Sequence, residues 1–269
     1  SLSELEQRRV DHSFGPRLQN PLSIGFAAHP SSSREECRAF ADCVVAFVLM
    51  TDYVFHPDDL QRIVKMHLDA PLDERFDRIA ETLREVYGEH VHPGGEWIWS
   101  NAGGIMCSMS VLHNSPKEYL LFCGTAVGSE GHSGRHRADL YDIVIHGELK
   151  TFKPDQFTPR VLLPGDVSYL PRRTTNGSHL APECWLLEYA RGNIPSMFPF
   201  ALGDTVFSTQ DLTDLGKTMK HSMRLMASEA KLALKRRFGR AEPLRPRREL
   251  IQQPQPAGTA TAKSDPSFN

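Results

Sequence analysis

Little in this chain commits it to the commoner chemistries, and each shortage excludes something. Its 31 Lys+Arg against 33 Asp+Glu leave a formal charge of −2, too even for a protein that holds nucleic acid by a global positive field. Its five cysteines, Cys37, Cys43, Cys107, Cys123 and Cys184, include no CxxC and no Cys/His zinc spacing. An odd number without a framework reads as ordinary buried thiols, not disulfides. The apolar run Cys43–Met50, with Arg38 and Asp42 just before it, is well short of the roughly 20 residues a spanning helix needs. A core or interfacial helix is the expectation there. The chain opens at Ser1 without a Met and shows no signal-peptide pattern, so a missing or processed N-terminus is expected. Gly131-His132-Ser133-Gly134 lacks the flanks of a nucleophile elbow. His132, His136 and His146 lack the close His-x-His pair of a cupin-type metal centre and read as turn and surface groups.

What is present reads as one core with polar ends. At 269 residues with 40% hydrophobic and 24% charged, the chain can bury a single good core. Residues 1–35 read as a disordered arm, 36–55 as a short apolar segment that is a possible membrane contact, 56–238 as the folded domain, and 239–269 as a disordered basic, Pro/Gln-rich tail. His56-Pro57-Asp58-Asp59 is a helix start, with Pro in the first turn and acids at the positive end of the dipole. A second helix is expected from about Leu72 to Tyr87, with Phe76, Ile79, Leu83 and Val86 at spacings of three and four. After Pro93 the texture changes to short aromatic and β-branched runs divided by Gly and Pro. That predicts a small barrel or sandwich, not a βαβ fold. Ser208-Thr209-Gln210-Asp211 predicts a capping box. The helix behind it carries Leu212, Leu215, Met219, Met223 and Met226 on one face and ends in Lys231, Lys235, Arg236, Arg237 and Arg240, attractive to anionic lipid. Asn176-Gly177-Ser178 is a sequon set in a turn.

One carboxylate stands out. Glu188 lies inside the apolar run Trp185, Leu186, Leu187, Tyr189, Ala190, which reads as a buried strand. A buried carboxylate without partners costs several kcal/mol or stays protonated. A structural Glu satisfied by Arg191 or a backbone amide is the plain alternative. Asp139 and Asp142 stand where a turn passes into a strand, and Asp139 can equally be a cap. Two carboxylates in low dielectric push their pKa values apart. Such a pair can serve as general acid and base on an apolar substrate, or capture a cation in a greasy pocket.

Several stretches then carry a resemblance: Asn101-Ala-Gly-Gly104, Glu118-Tyr119 leading to Gly124-Thr-Ala126, Gly131-His-Ser-Gly134, Leu187-Glu-Tyr189 with Arg191-Gly192 and Ile194-Pro-Ser196, and Asp204-Thr-Val-Phe-Ser-Thr-Gln-Asp211. In order and spacing, from about Tyr53 to Phe238, the chain resembles the family of the fungal C-8 sterol isomerases and the animal sigma-1 receptor. The resemblance implies a mainly β, α+β fold: a cupin-like β-barrel with N-terminal helices, closed by two C-terminal helices lying against a membrane. It implies residence in the endoplasmic reticulum membrane, trimers, and a pocket without metal or cofactor. By motif, Glu188 matches the carboxylate that meets a ligand's positive charge, and Asp142 the acid hydrogen-bonded to it. Met109, Val111, Tyr119, Leu121, Ile194, Phe198 and Ala201 match pocket-lining positions, although Tyr119 and Phe198 read as plain core aromatics from chemistry alone.

The family's isomerase chemistry moves the sterol double bond from C8 to C7. A carboxylic acid protonates the alkene, a carbocation forms, and a carboxylate removes a proton; cationic amines resembling that carbocation bind as inhibitors. Here Ala138-Asp139-Leu140-Tyr141-Asp142 is a hybrid, with the isomerases' first Asp and Tyr and the receptor's second acid. Cys123 and Leu180 stand where the receptor has aromatic residues. The expectation is an isomerase using Glu188, Asp142 and Asp139, because Asp139, Tyr141 and His146 follow the enzyme branch. A binding protein for amines or sterols, or a membrane-associated scaffold, are the alternatives.

Overall fold

The computed structural model describes residues 52–93, 96–239 and 246–252. The arm 1–35, most of the apolar segment 36–55 and most of the tail therefore lie outside the described residues. Two helices come first, α1 (Pro57–Met66) and α2 (Leu72–Tyr87). α1 starts with Pro57, Asp58 and Asp59 in its first turn, a sequence suited to unpaired N–H groups and the positive dipole end. Leu60, Ile63 and Val64 of α1 and Ile79, Leu83 and Val86 of α2 are buried in one cluster with Leu120, Phe122, Ile143, Leu187 and Tyr189. The helices thus cover one face of a sheet.

That sheet is antiparallel and six-stranded, in the order β1 (Ile98–Ala102), β2 (Ile105–Asn114), β3 (Glu118–Thr125), β10 (Cys184–Gly192), β5 (Ala138–His146), β8 (Val167–Leu170). A second sheet orders β4 (Ser129–His132), β9 (Gly177–Leu180), β6 (Leu149–Phe152) and β7 (Arg160–Leu162). The mainly β, α+β expectation holds. The closed barrel does not: β4 pairs only with β9 and β7 only with β6 among the described residues, so no ladder joins the two sheets. They meet instead through side chains, with Cys123, Val144 and Leu186 of the larger sheet packed against Leu149, Leu162 and Leu180 of the smaller.

The chain closes with α3 (Phe198–Asp204), a π-helical turn over Thr205–Thr209, and α4 (Leu212–Arg237). The cap of α4 is Asp211, whose side chain accepts from Asp214 N at 3.0 Å. Ser208 lies in the π turn, so the expected capping box starts three residues too early. None of the described helices is long and apolar enough to cross a membrane. Within the expected tail, α5 (Glu249–Gln252) is ordered against α1: Ile251 is buried and Arg248 Nε meets Asp59 Oδ2 at 2.7 Å.

The glycine-rich motifs meet where turns cross. His132 N donates to Gly103 O at 2.8 Å, and a Cβ on Gly131 would strike that same carbonyl. Gly104 N donates to Asp204 Oδ2 at 2.8 Å, seating α3 on the β1–β2 turn.

Candidate functional site

Antiparallel register decides which side chains share a face. Across the six-stranded sheet, Val111 stands opposite Leu121, Leu121 opposite Glu188, Glu188 opposite Asp142, and Asp142 opposite Ser168. The two carboxylates are therefore a direct cross-strand pair, whose Cβ atoms stand about 5 Å apart. Tyr119, Leu121 and Cys123 alternate onto the same face of β3. The neighbours Leu120 and Phe122 turn to the other face and join the helical core.

This face lines a cavity of about 250 Å³ between the two sheets, covered by α3 and the first half of α4. Glu188 and Asp142 reach it, as do Met109, Val111, Tyr119, Leu121, Ile194, Phe198 and Ala201. Leu180 comes from the smaller sheet, and Leu215, Thr218, Met219 and Ser222 from α4. Glu188 and Asp142 are only half-buried by surface area, because what they face is the cavity, not bulk water.

The environment separates the two acids. Glu188 accepts a short hydrogen bond from the Tyr119 hydroxyl and a second from Cys123 Sγ at 3.5 Å. Asp142 is pushed well above the usual carboxylate range, by burial first and then by the charge of Glu188. Both effects favour its protonated form. Burial and Glu188 likewise raise the Tyr119 hydroxyl, which stays a donor. A hydrogen bond with Cys107, then burial, then Glu188 keep the Cys123 thiol protonated. The site thus sets two carboxyl groups in different surroundings against an apolar wall.

The structure corrects three expectations. Asp139 is not at the cavity: three residues from Asp142 on one strand, it points to the opposite face. There its carboxylate takes Arg172 Nη2 at 2.6 Å and Arg172 N at 2.9 Å. Arg191 is not the partner of Glu188 either. Its Nη2 donates to Tyr141 Oη at 2.8 Å and its guanidinium lies over the rings of Tyr53 and Tyr141. Tyr141 accordingly belongs to this outer network, stacked between Tyr169 and Tyr189. Finally, His136 is a buried side chain, not a surface group. Its Nε2 is 2.8 Å from Ser133 O and its ring packs edge-on to Phe200, and it lines the cavity with His132. His132 is itself exposed and His146 half-buried.

Sequence reasoning placed Leu215 and Met219 on one stripe but missed Thr218 and Ser222, which complete the cover of the cavity. The stripe of α4 was visible, but its small polar members break the apolar pattern at the positions that face the cavity rather than a packed core.

Comparison with known proteins gives a consistent kinship. A family model described as ERG2 and Sigma1 receptor like protein matches residues 37–233. The chain is 38% identical over 190 residues to C-8 sterol isomerase erg2 of Aspergillus fumigatus, covering 69% of this chain and 78% of that protein. It is 38% identical over 179 residues to sigma non-opioid intracellular receptor 1 of Taricha granulosa, covering 66% and 80%. It is 39% identical over 153 residues to protein erg2 homolog of Dictyostelium discoideum, covering 57% and 66%. Among solved structures, KdgF from Halomonas sp. is 18% identical at a TM-score of 0.32 over 38% of this chain and 93% of its own. An RmlC-like cupin from Shewanella frigidimarina is 19% identical at 0.33, over 42% and 97%.

Proposed function

The chain belongs to the ERG2 and Sigma1 receptor like family, and from that premise we propose that it is a C-8 sterol isomerase, moving the ring double bond from Δ8 to Δ7. The observation that carries this reading is the cross-strand pair Glu188–Asp142 inside an apolar cavity, where burial and Glu188 favour the protonated form of Asp142. Asp142 gives its proton to C9 of the alkene, leaving a carbocation at C8. The Glu188 carboxylate, oriented by Tyr119 and Cys123, stabilises that cation and then takes the C7 proton as the new double bond forms. Proton return across the strand pair from Glu188 to Asp142 resets the site. No electrons are gained or lost, and no cofactor is required.

The receptor-like reading is favoured by a different observation. Asp139 and Tyr141, which set the chain apart from a binding protein in sequence, face away from the cavity, so they leave no enzyme-specific group inside it. In that reading Glu188 receives the ammonium of a cationic amphiphilic amine or lies beside a sterol without turnover. Either way the protein works at the endoplasmic reticulum membrane. The exposed Val206, Phe207 and Leu212 at the start of the cover are the lipid-facing edge we assign to the C-terminal helices, with a trimer as the working assembly.

Complementation with sterol profiling separates these readings. The chain and its Glu188→Gln variant are expressed in a fungal strain lacking C-8 isomerase. Conversion of Δ8- to Δ7-sterols by the chain but not the variant supports the enzyme. Persisting Δ8-sterols, with folded protein that binds a cationic amine, would overturn it in favour of the receptor reading.

A further inference from the structure

Away from the cavity, three side chains from distant parts of the chain converge in a dry place with nothing yet assigned to them. His90 ends a 3-10 turn (Gly88–His90), His113 lies near the end of β2, and Glu229 sits on the inner face of α4. Their relative exposures are 1%, 0% and 1%. One donor atom from each lies within 4.8 Å of the other two. His90 Nδ1 is 2.8 Å and His113 Nδ1 3.6 Å from the Glu229 carboxylate.

Two features distinguish this cluster from a satisfied buried ion pair. His90 Nε2, His113 Nε2 and Glu229 Oε1 are buried with no hydrogen-bond partner, each an unmet cost of about 1–3 kcal/mol. And His113 Nδ1 is 2.8 Å from His90 O. That contact places the proton on Nδ1, the nitrogen that faces Glu229 at 3.6 Å, and leaves Nε2 as the electron-pair donor, which the ring must turn to present to a metal. An open depression lined by Glu81, Arg84, Glu85, Glu89, His92 and Ser228 includes the sequence neighbours of both His90 and Glu229, and its three carboxylates outnumber the one guanidinium.

We propose that His90, His113 and Glu229 form a binding site for a zinc-class divalent transition metal, distinct from the sterol cavity. Two imidazoles and one carboxylate are a borderline-soft set suited to such an ion. With metal–ligand bonds of about 2.0–2.2 Å, tetrahedral donors stand roughly 3.4 Å apart, so rotation of the three side chains, with the His113 ring turned to present Nε2, closes the site. The metal would tie the turn after α2 and strand β2 to α4, the helix whose first half covers the cavity. Its role is therefore structural, a clasp on the cover.

The test uses the untagged full chain, stripped with a chelator and titrated with Zn²⁺ and with Co²⁺ as spectroscopic probe. The expected result is one equivalent of zinc per chain by elemental analysis, visible d–d bands of Co²⁺ in a four-coordinate N/O environment, and a melting temperature raised by zinc. Glu229→Gln and His113→Gln should weaken binding by more than about 100-fold, the upper range for loss of a mere outer-shell partner. Glu188→Gln should leave it intact. Failure of the wild-type chain to bind either metal, or equal binding by wild type and both cluster variants, overturns the site. If a variant does not fold, the wild-type stoichiometry and the Co²⁺ spectrum still decide.

Discussion

The division of labour between Glu188 and Asp142 rests on neighbours, not on residue type. Tyr119 and Cys123 donate to one carboxylate, while burial and the first carboxylate's charge neutralise the other. Glu188→Gln and Asp142→Asn should each lower isomerase turnover by at least about 100-fold, the lower range for a positioned acid or base. Of the two, Asp142→Asn should retain amine binding, because Glu188 and its donors remain in place; loss of both properties together would assign the cation to Asp142. Turnover should also depend on pH with a definite sign. The acid works only while protonated, so activity is present below the raised pKa of Asp142 and declines as pH climbs through it. A kcat profile that rises instead removes Asp142 as the donor. Asp139 behaves in the opposite way. Its hydrogen bonds with Arg172, against the counter-effect of burial, hold it below the usual range. The stability it contributes is therefore present above the ordinary carboxylate pKa of about 3.9 and lost as pH falls through its folded value. Asp139→Asn should destabilise the chain at pH 7, with the difference from wild type shrinking as pH falls through the folded pKa of Asp139, and leave turnover unchanged.

Among the elements, local rules explain the helices well and the strands less well. The proline and acids of α1 and the three-and-four spacing of α2 are properties of contiguous residues, and both helices form where that pattern runs. The start of α4 was harder to read, since Ser208 and Asp211 both suit a cap. The π turn over Thr205–Thr209 moves the helix start to Leu212, so Asp211→Ala should cost about 1 kcal/mol in denaturant unfolding and Ser208→Ala less than about 0.5 kcal/mol. Strand β10 is apolar on both faces because α1 and α2 cover one and the cavity the other, and a strand buried on both sides loses its period of two. The run Trp185–Ala190 announced burial without saying which way Glu188 points. Glu118, at the start of β3, is fully buried and accepts from Val54 N at 2.7 Å and from Tyr189 Oη at 2.9 Å. It fastens the residues before α1 to the sheet. Glu118→Ala should destabilise by about 3 kcal/mol, from charged hydrogen bonds lost in the core, as measured by denaturant midpoint.

At the scale of the whole molecule, function depends on how two sheets and a helical cover enclose one cavity. Asp204, through Gly104 N, holds that cover to the β1–β2 turn. Asp204→Ala should therefore speed release of a bound amine more than it slows binding, a difference that stopped-flow measurement resolves.

The sequence by itself determined the family, both N-terminal helices and the strand around Glu188. Asp139 and Asp142 are three residues apart on one strand, so alternation lets only one of them share a face with Glu188. Which one was decided by the register of β5 against β10, a long-range pairing that no local pattern encodes. The same holds for the clasp: Glu229 is 139 residues from His90, and only the folding of α4 over β2 brings them together. Contiguous residues specify periodicity and capping; contacts between distant segments depend on the packing of the complete core, and that packing chose the acid pair, closed the cavity and assembled the histidines.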